Sequence, residues 1–350
     1  MLILGLMSGT SLDGLDLAIC EFERYEGEYR FKIKAAKTSL YSALWKNRLT
    51  EIKNVSAEAY FEWHALYGKY IAEEANTFLK ATGLKPDAIA SHGHTVFHQP
   101  ALGFSTQVGC GATIASYTQT TTVYDFRSLD VASGGQGAPL VPIGDKLLFG
   151  NYAACLNIGG IANISFDDLS GKRTAFDICE ANMLLNYLAE KTGKAFDRAG
   201  EMARSGKVND ALLNKLNAIG YYSQKGAKSI GREWFEKNIL YLVDDKNMPV
   251  NDLLATSTEH IAQVIANELN DQKIKNVLLT GGGVFNTFLV ERVKLKTSGE
   301  IIIPKDEIIN FKEALIFAFL GYLRLNNSIN TLRSVTGALN DSIGGAVYRV

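Results

Sequence analysis

The sequence predicts an α/β protein built of two similar domains, and three observations carry that expectation. A buried strand that runs into a glycine-rich turn and out into a second strand occurs at Leu2–Phe22 and again at Ala154–Phe166, a spacing of about 150 residues that suits two related domains rather than a solenoid. At 350 residues the chain exceeds the roughly 250–300 residues that one hydrophobic core serves, and about 150 residues per domain makes two. Between the strands lie segments whose apolar residues recur at three- and four-residue steps, the mark of amphipathic helices.

Taken in order, Leu2–Leu6 and Leu15–Phe22 read as strands around the turn Met7–Gly14. In the second, Leu15, Leu17 and Ile19 alternate with Asp16, Ala18 and Cys20, the period of a sheet. Tyr60, Phe61, His64, Tyr67, Ile71, Ala75 and Phe78 form the apolar stripe of a helix over Ala57–Lys80, stopped by Gly83 and Pro86. Ala88–Ala90 is a short strand leading into Ser91-His92-Gly93-His94-Thr95. In the second half, Ala154–Ile158 enters Gly159-Gly160 and Ile161–Phe166 leaves it, and Asn182–Leu185 begins a helix after Asp177. Thr256 and Glu259 have capping-box spacing before the stripe Ile261, Val264, Ile265 and Leu269. Asn276–Thr280 is a strand feeding Gly281-Gly282-Gly283, and Glu313–Leu323 is a buried helix.

Composition removes several classes of function. With 36 basic and 37 acidic side chains the net charge is -1, which excludes a nucleic-acid binder driven by bulk charge. The apolar run Ala314–Leu323 falls short of the roughly 20 residues a bilayer requires, and Met1–Met7 lacks the basic flank of a signal peptide. A soluble cytoplasmic protein with no membrane partner is expected. Cys20, Cys110, Cys155 and Cys179 lie far apart without a CxxC pair, so neither a disulfide framework nor a zinc site is expected.

Glycine turns can be plain hairpins, since glycine adopts positive φ cheaply. Three of them, each behind a buried strand and dense in Gly, Ser, Thr and Asn, point instead to backbone N–H groups that approach an anion. Neither a Walker G-x-x-x-x-G-K-[ST] nor a dinucleotide-binding G-x-G-x-x-G motif is present. Asp177 reads equally as a first-turn carboxylate or as a general base beside the second glycine turn. His92, His94 and His98 read as packed histidines or a polar wall in preference to a metal site, because no carboxylate or cysteine lies among them. Asp125 and Arg127 read as a surface ion pair or as hydroxyl-binding groups, and Gly134–Pro139 as a hinge between domains.

Several stretches together resemble the anhydro-N-acetylmuramic acid kinases. They are Gly5–Asp16, Ser91–Thr95, Asp125–Arg127, Gly134–Pro142, Asn157–Asn163, Ser229–Glu233, Gly281–Gly283 and Thr336–Ala338, in order along the whole chain. The resemblance implies the actin-like ATPase (ribonuclease H-like) type, two α/β domains with a nucleotide cleft between them: residues 1–134 plus about 330–350, and residues 135–329. It implies ATP with Mg²⁺ as cofactors and a small amino sugar as substrate. Gly9, Thr10, Ser11, Leu12, Asp13, Gly14, Leu15 and Asp16 would form the first phosphate turn. Asn157, Gly159, Gly160 and Asn163 would form the second, with Gly281, Gly282 and Gly283 near the nucleoside. Asp177 would match the catalytic carboxylate, while His92, Thr95, Asp125, Arg127, Gln136, Gly137, Ala138, Pro139 and Glu313 would face the sugar. Asp13 and Asp16 are the candidate carboxylates for Mg²⁺, and a homodimer is implied. The expected reaction opens a 1,6-anhydro ring with water and phosphorylates the freed 6-oxygen, as a step in peptidoglycan recycling. Departures fall at Ile178-Cys179-Glu180-Ala181, where the family pattern reads Thr-Gly-Pro-Gly, and at His94, where it reads Gln. They leave open a different amino sugar, or a non-catalytic ATP-driven switch.

Overall fold

The computed structural model describes residues 1–9 and 11–350; Thr10, part of the expected first phosphate turn, lies outside the described residues. The chain divides into two compact units, Met1–Phe149 with Phe311–Val350, and Gly150–Asn310. Unit 1 contains β1 (Leu2–Ser8), β2 (Gly14–Tyr25), β3 (Glu28–Leu40), β4 (Ala88–Gln99), β5 (Phe104–Val108) and β6 (Thr122–Tyr124). Unit 2 contains β7 (Ala154–Ile158), β8 (Ile161–Asp167), β9 (Arg173–Glu180), β10 (Asn276–Thr280) and β11 (Glu300–Ile302), after which β12 (Ala346–Tyr348) returns to the first sheet.

The sheets run β12-β6-β4-β1-β2-β3, with β5 added on β4, and β11-β10-β7-β8-β9. In each, a central strand (β1 or β7) pairs antiparallel with the strand that follows it. On its other side it pairs parallel with a later strand, β4 or β10. A third strand extends each antiparallel edge. One strand order used twice is the pair of similar α/β domains that the repeated glycine turn predicts.

Parallel neighbours demand cover on both faces, which explains the continuous apolar run of β1: Ile3, Leu4 and Leu6 have no exposed surface. Helix Ala57–Thr82 covers part of that sheet through Tyr67, Ile71 and Ala75, and Gly83 ends it in the left-handed conformation. In unit 2, helix Val250–Asp271 packs Leu254, Ile261, Ile265 and Leu269 into the core that also receives Leu156 and Ile164. Among the described residues no helix is long and apolar enough to cross a membrane.

Four expectations need correction. The domain limits fall at Phe149/Gly150 and Asn310/Phe311, rather than after residues 134 and 329. Helix Val141–Leu148 belongs with unit 1 because Gly144 meets Ile316 and the Phe149 ring packs on Phe31. The second limit falls inside helix Asp306–Leu325. The Gly134–Pro139 segment is no hinge: it lies wholly in unit 1, where Asp130 accepts a 2.7 Å bond from Gly137 N and another from Thr336 Oγ1. Thr256 is not an N-cap, since its helix starts at Val250; its hydroxyl donates to Asp252 O and accepts from Asn209 N. The strand after Pro86 runs to Gln99, because β5 folds back on its second half.

Gly5 is the closest approach in unit 1. A Cβ there would stand 2.0 Å from Ala314 O and 2.9 Å from Ala318 Cβ, so β1 lies against the helix that carries Glu313. Gly5→Ala should therefore destabilise the protein by about 1–3 kcal/mol, the usual cost of overpacking. Urea denaturation checks it, and an unchanged midpoint would show that the helix can lift off β1 freely.

Candidate active site

In unit 2 the strand register builds the site. Thr280 of β10 is level with Asn157 of β7, Asn157 with Asn163 of β8, and Asn163 with Asp177 of β9. In-register neighbours share a face of the sheet, so four polar side chains form one row. A bulge keeps the register: Ala162 pairs with Cys179 and Asn163 with Asp177, leaving Ile178 as the extra residue. The Asn157 carboxamide fills the space between two turns. A Cβ on Gly281, whose φ is 88°, would meet Asn157 Oδ1 at 2.7 Å, and one on Gly159 would meet Asn157 Nδ2 at 3.4 Å. Gly283 is held close as well, since a Cβ there would meet Ile158 Cγ2 at 2.2 Å, and Gly282 is exposed.

The Gly159-Gly160 turn is tied to the start of helix Asn182–Glu190. Asn182 N donates to Gly159 O at 3.1 Å, and Ala181 N and Met183 N donate to Gly160 O. The exposed Gly160 N–H takes no partner among the described residues and is available to an anion. Thr280 Oγ1, at the far end of the row, is buried without a hydrogen bond.

Asp177 is half-buried, and its carboxylate is anchored on one side. Oδ2 accepts from Ser229 Oγ at 3.0 Å and Ile230 N at 3.1 Å, while Oδ1 has no partner among the described residues. Its backbone is fixed too, with Asp177 N donating to Lys228 O and Tyr221 OH donating to Asp177 O at 2.7 Å. Burial raises the pKa above the ordinary carboxylate value, and the bonds from Ile230 and Ser229 pull it back. The result is a carboxylate held by one oxygen, with the other open to a proton.

In unit 1 the corresponding turn joins β1 to β2. Asp16 is level with Thr38 on β3, whose hydroxyl donates to it at 2.6 Å. Burial raises the Asp16 pKa, the Thr38 bond lowers it, and the charge of Asp13 raises it again. Ser11 and Asp13 are exposed, Leu12 has a φ of 57°, and Gly14 and Leu15 are buried at the start of β2. Among the described residues no three acidic, histidine or cysteine side chains could enclose a metal ion. One or two carboxylates beside phosphates is how Mg²⁺ is commonly held, and Asp13 and Asp16 would be the carboxylates of this turn to do so.

A second cluster in unit 1 gathers His92, Arg127, Gly137 and Glu313. Arg127 donates to His92 Nε2 at 2.9 Å and to Gly137 O at 2.6 Å, and His92 Nδ1 donates to Gly93 O. Burial, then the Arg127 charge, drives the His92 pKa far down, so the ring is a neutral acceptor. Burial lowers Arg127 to about 10 against the pull of Glu313 and Asp130. Glu313 keeps exposed surface, yet the protein atoms crowding it raise its pKa, with Asp16 adding and Arg127 and Lys312 opposing.

The other expected sugar-side residues are less tightly joined. Asp125 makes no pair with Arg127; its Oδ1 accepts from Ser128 N and Oγ at the start of helix Ser128–Ala132. Gln136 and Pro139 are exposed, Ala138 is half-buried, and Thr95 lies half-buried on β4 opposite Gln107. His94 and His98 turn to separate partners, Ser8 and Ser105, and burial lowers His94 to about 4. Ser8, Thr38, Tyr221, Ser229 and Ile230 were not singled out as site residues from sequence. Ser8, as part of Gly5–Asp16, and Ser229 and Ile230, as part of Ser229–Glu233, carried a signal; Thr38 and Tyr221 carried none.

Two repeated α/β units, each with a glycine turn behind its central strand and one with a poised carboxylate, define a two-domain phosphotransferase. The chain belongs to the anhydro-N-acetylmuramic acid kinase family, whose family model matches residues 1–350. Proteins described as anhydro-N-acetylmuramic acid kinase from Hydrogenovibrio crunogenus and Sulfurimonas denitrificans are 36% and 34% identical to it, each over 99% of this chain and 98% of their own length. One from Synechococcus elongatus is 34% identical over 99% of both chains.

Ser229→Ala removes a donor that favours the charged form of Asp177. The pKa of the carboxyl should rise, and, with Asp177 acting as a base that must be deprotonated, activity would be lost at a higher pH as the solution is acidified. The shift is upward, because a donor to the charged form is lost. A pH profile of kcat reads it, and a shift toward lower pH would reverse the assignment.

Proposed function

We propose that the protein is an ATP-dependent kinase that hydrolytically opens 1,6-anhydro-N-acetylmuramic acid and phosphorylates the 6-oxygen, giving N-acetylmuramate 6-phosphate. Family membership over the whole chain supports the substrate. The observation that carries the chemistry is Asp177, anchored through Oδ2 by Ser229 and Ile230 with Oδ1 unengaged.

A 1,6-anhydro sugar has no free 6-hydroxyl. Asp177 Oδ1 takes a proton from a water as that water attacks the anomeric carbon, and the bond from the anomeric carbon to the 6-oxygen breaks. The released 6-oxygen attacks the γ-phosphate of ATP, and ADP leaves. The N–H of Gly160 and the turn Gly9–Asp16 bind phosphate oxygens, and Gly281–Gly283 gives the nucleoside a surface without side chains. Asp16 and Asp13 would hold Mg²⁺, which when bound would neutralise charge at the phosphates. Arg127, oriented by His92 and Gly137 O, and Glu313 bind the sugar's polar groups, with Thr95, Asp125 and the Gln136–Pro139 segment completing that side. We place this reaction in the cytoplasm, where ATP is supplied, as a salvage step for peptidoglycan fragments.

Asp177→Asn should retain ATP binding by calorimetry and lose about 10²–10⁴ in turnover, the usual contribution of a positioned base. Near wild-type turnover would remove Asp177 from that role. Asp16→Asn should raise the Mg²⁺ concentration for half-maximal rate about tenfold or more, in the range of lost metal-site contacts; an unchanged requirement would move the metal elsewhere. The departures at Ile178–Ala181 are the sequence feature that would permit a variant of this reading, the same kinase acting on another amino sugar. Rates of ADP release with a panel of anhydro and ordinary amino sugars separate the two.

A further inference from the structure

Behind Asp177 lies a buried polar chain that the reaction does not use. Glu180, at the end of β9 where the family pattern has proline, and His260, on helix Val250–Asp271, both have no exposed surface. Glu180 accepts from Tyr222 OH at 2.8 and 3.0 Å, and its Oε1 lies 3.3 Å from His260 Nε2. An unpaired carboxylate buried to this degree would be very costly, so the arrangement must satisfy it fully.

The proton positions follow from one acceptor-only group. Glu259 is ionised: burial pushes its pKa up, but bonds from Arg292, Lys296 and Gln263 outweigh that and hold it at about 2. Gln263 must therefore give its amide N–H to Glu259, at 3.1 Å, and turn its oxygen to Asn217 Nδ2, at 2.7 Å. Asn217 then presents its oxygen to His260 Nδ1, at 2.6 Å, so Nδ1 carries a hydrogen. Tyr222 spends its own proton on Glu180. His260 Nε2 lies 3.2 Å from Tyr222 OH and 3.3 Å from Glu180 Oε1, which closes the chain on the carboxylate.

This chain reaches the candidate base by a short strap. Tyr222, held by Glu180, is the neighbour of Tyr221, which donates to Asp177 O at 2.7 Å, and both rings pack on Trp234. Resting on the reading of Asp177 as the base, we infer that Glu180, with His260 behind it, is a positioning residue: through Tyr222 and Tyr221 it fixes the β9 backbone that aims the Asp177 carboxylate. It touches neither nucleotide nor sugar, and its action is on the chemical step alone.

Steady-state kinetics on the full chain test this. Glu180→Ala should lower kcat about tenfold to a hundredfold, as for a misplaced catalytic group, with KM for ATP and sugar within about twofold. Glu180→Gln, which accepts from Tyr222 and donates to His260 Nε2, should recover kcat to within about threefold. Tyr222→Phe, which leaves no cavity, should repeat the kcat loss if the alanine variant does not fold. In an Asp177→Asn background, Glu180→Ala should add nothing further. Unchanged kcat in folded Glu180→Ala, a loss in KM instead of kcat, no recovery with Gln, or full additivity with Asp177→Asn would each overturn the proposal. These failures are distinct from failure of the base assignment, which is an active Asp177→Asn single variant.

Discussion

The cross-strand register of the second sheet is the constraint on which the site depends. Asn157, Asn163 and Asp177 stand level on three neighbouring strands, and they do so only because Ile178 is bulged out of the ladder. A slip of one residue would send Asp177 to the opposite face, since side chains alternate along a strand. The glycine turn then follows from the same alignment. Asn157 occupies the place a Cβ would take at Gly281, and the carbonyls of Gly159 and Gly160 receive the first N–H groups of helix Asn182–Glu190. The Asp177 carboxylate, the turn and the helix start are one mechanical assembly.

The repetition of the fold makes the differences between the units informative. The cross-strand pair Asn163 and Asp177 of the second sheet has its counterpart in Asp16 and Thr38 of the first. Where unit 2 carries a carboxylate with a free oxygen, unit 1 carries a hydroxyl that donates into Asp16. The same scaffold thus leaves one carboxylate oxygen open in one copy and ties a carboxylate to a neighbouring hydroxyl in the other. Its central strands stay apolar in both copies because each is covered on both faces, leaving the strand ends to diverge.

Electrostatic organisation follows burial. His92 is kept neutral by desolvation and by Arg127, and a neutral ring can accept the guanidinium's hydrogen bond without repelling it. Glu313, whose pKa is raised by the protein atoms crowding it and by Asp16, sits near the same guanidinium. Unit 2 handles its polar groups differently: Glu180 meets Tyr222 and His260 in the core, while Glu259 is matched by Arg292 and Lys296 nearer solvent.

Taken alone, the sequence determined the paired α/β architecture, the three glycine turns and the apolar helix bearing Glu313. Each of these rests on local pattern: strand alternation, helical stripes, and glycines where backbone must come close. Tertiary structure decided what each polar residue touches. Thr256 and Glu259 had the spacing of a helix cap yet lie inside a helix, because packing against Asn209, Arg292 and Lys296 outweighs a local signal. Asp125 and Arg127 are near neighbours in the chain but take different partners, and the segment Gly134–Pro139 is locked by the distant Asp130 and Thr336 instead of bending. The anchors of Asp177, at Tyr221, Ser229 and Ile230, come from more than 40 residues away. Contacts at that separation leave no period or motif in a single chain, and only the folded sheet brings them together.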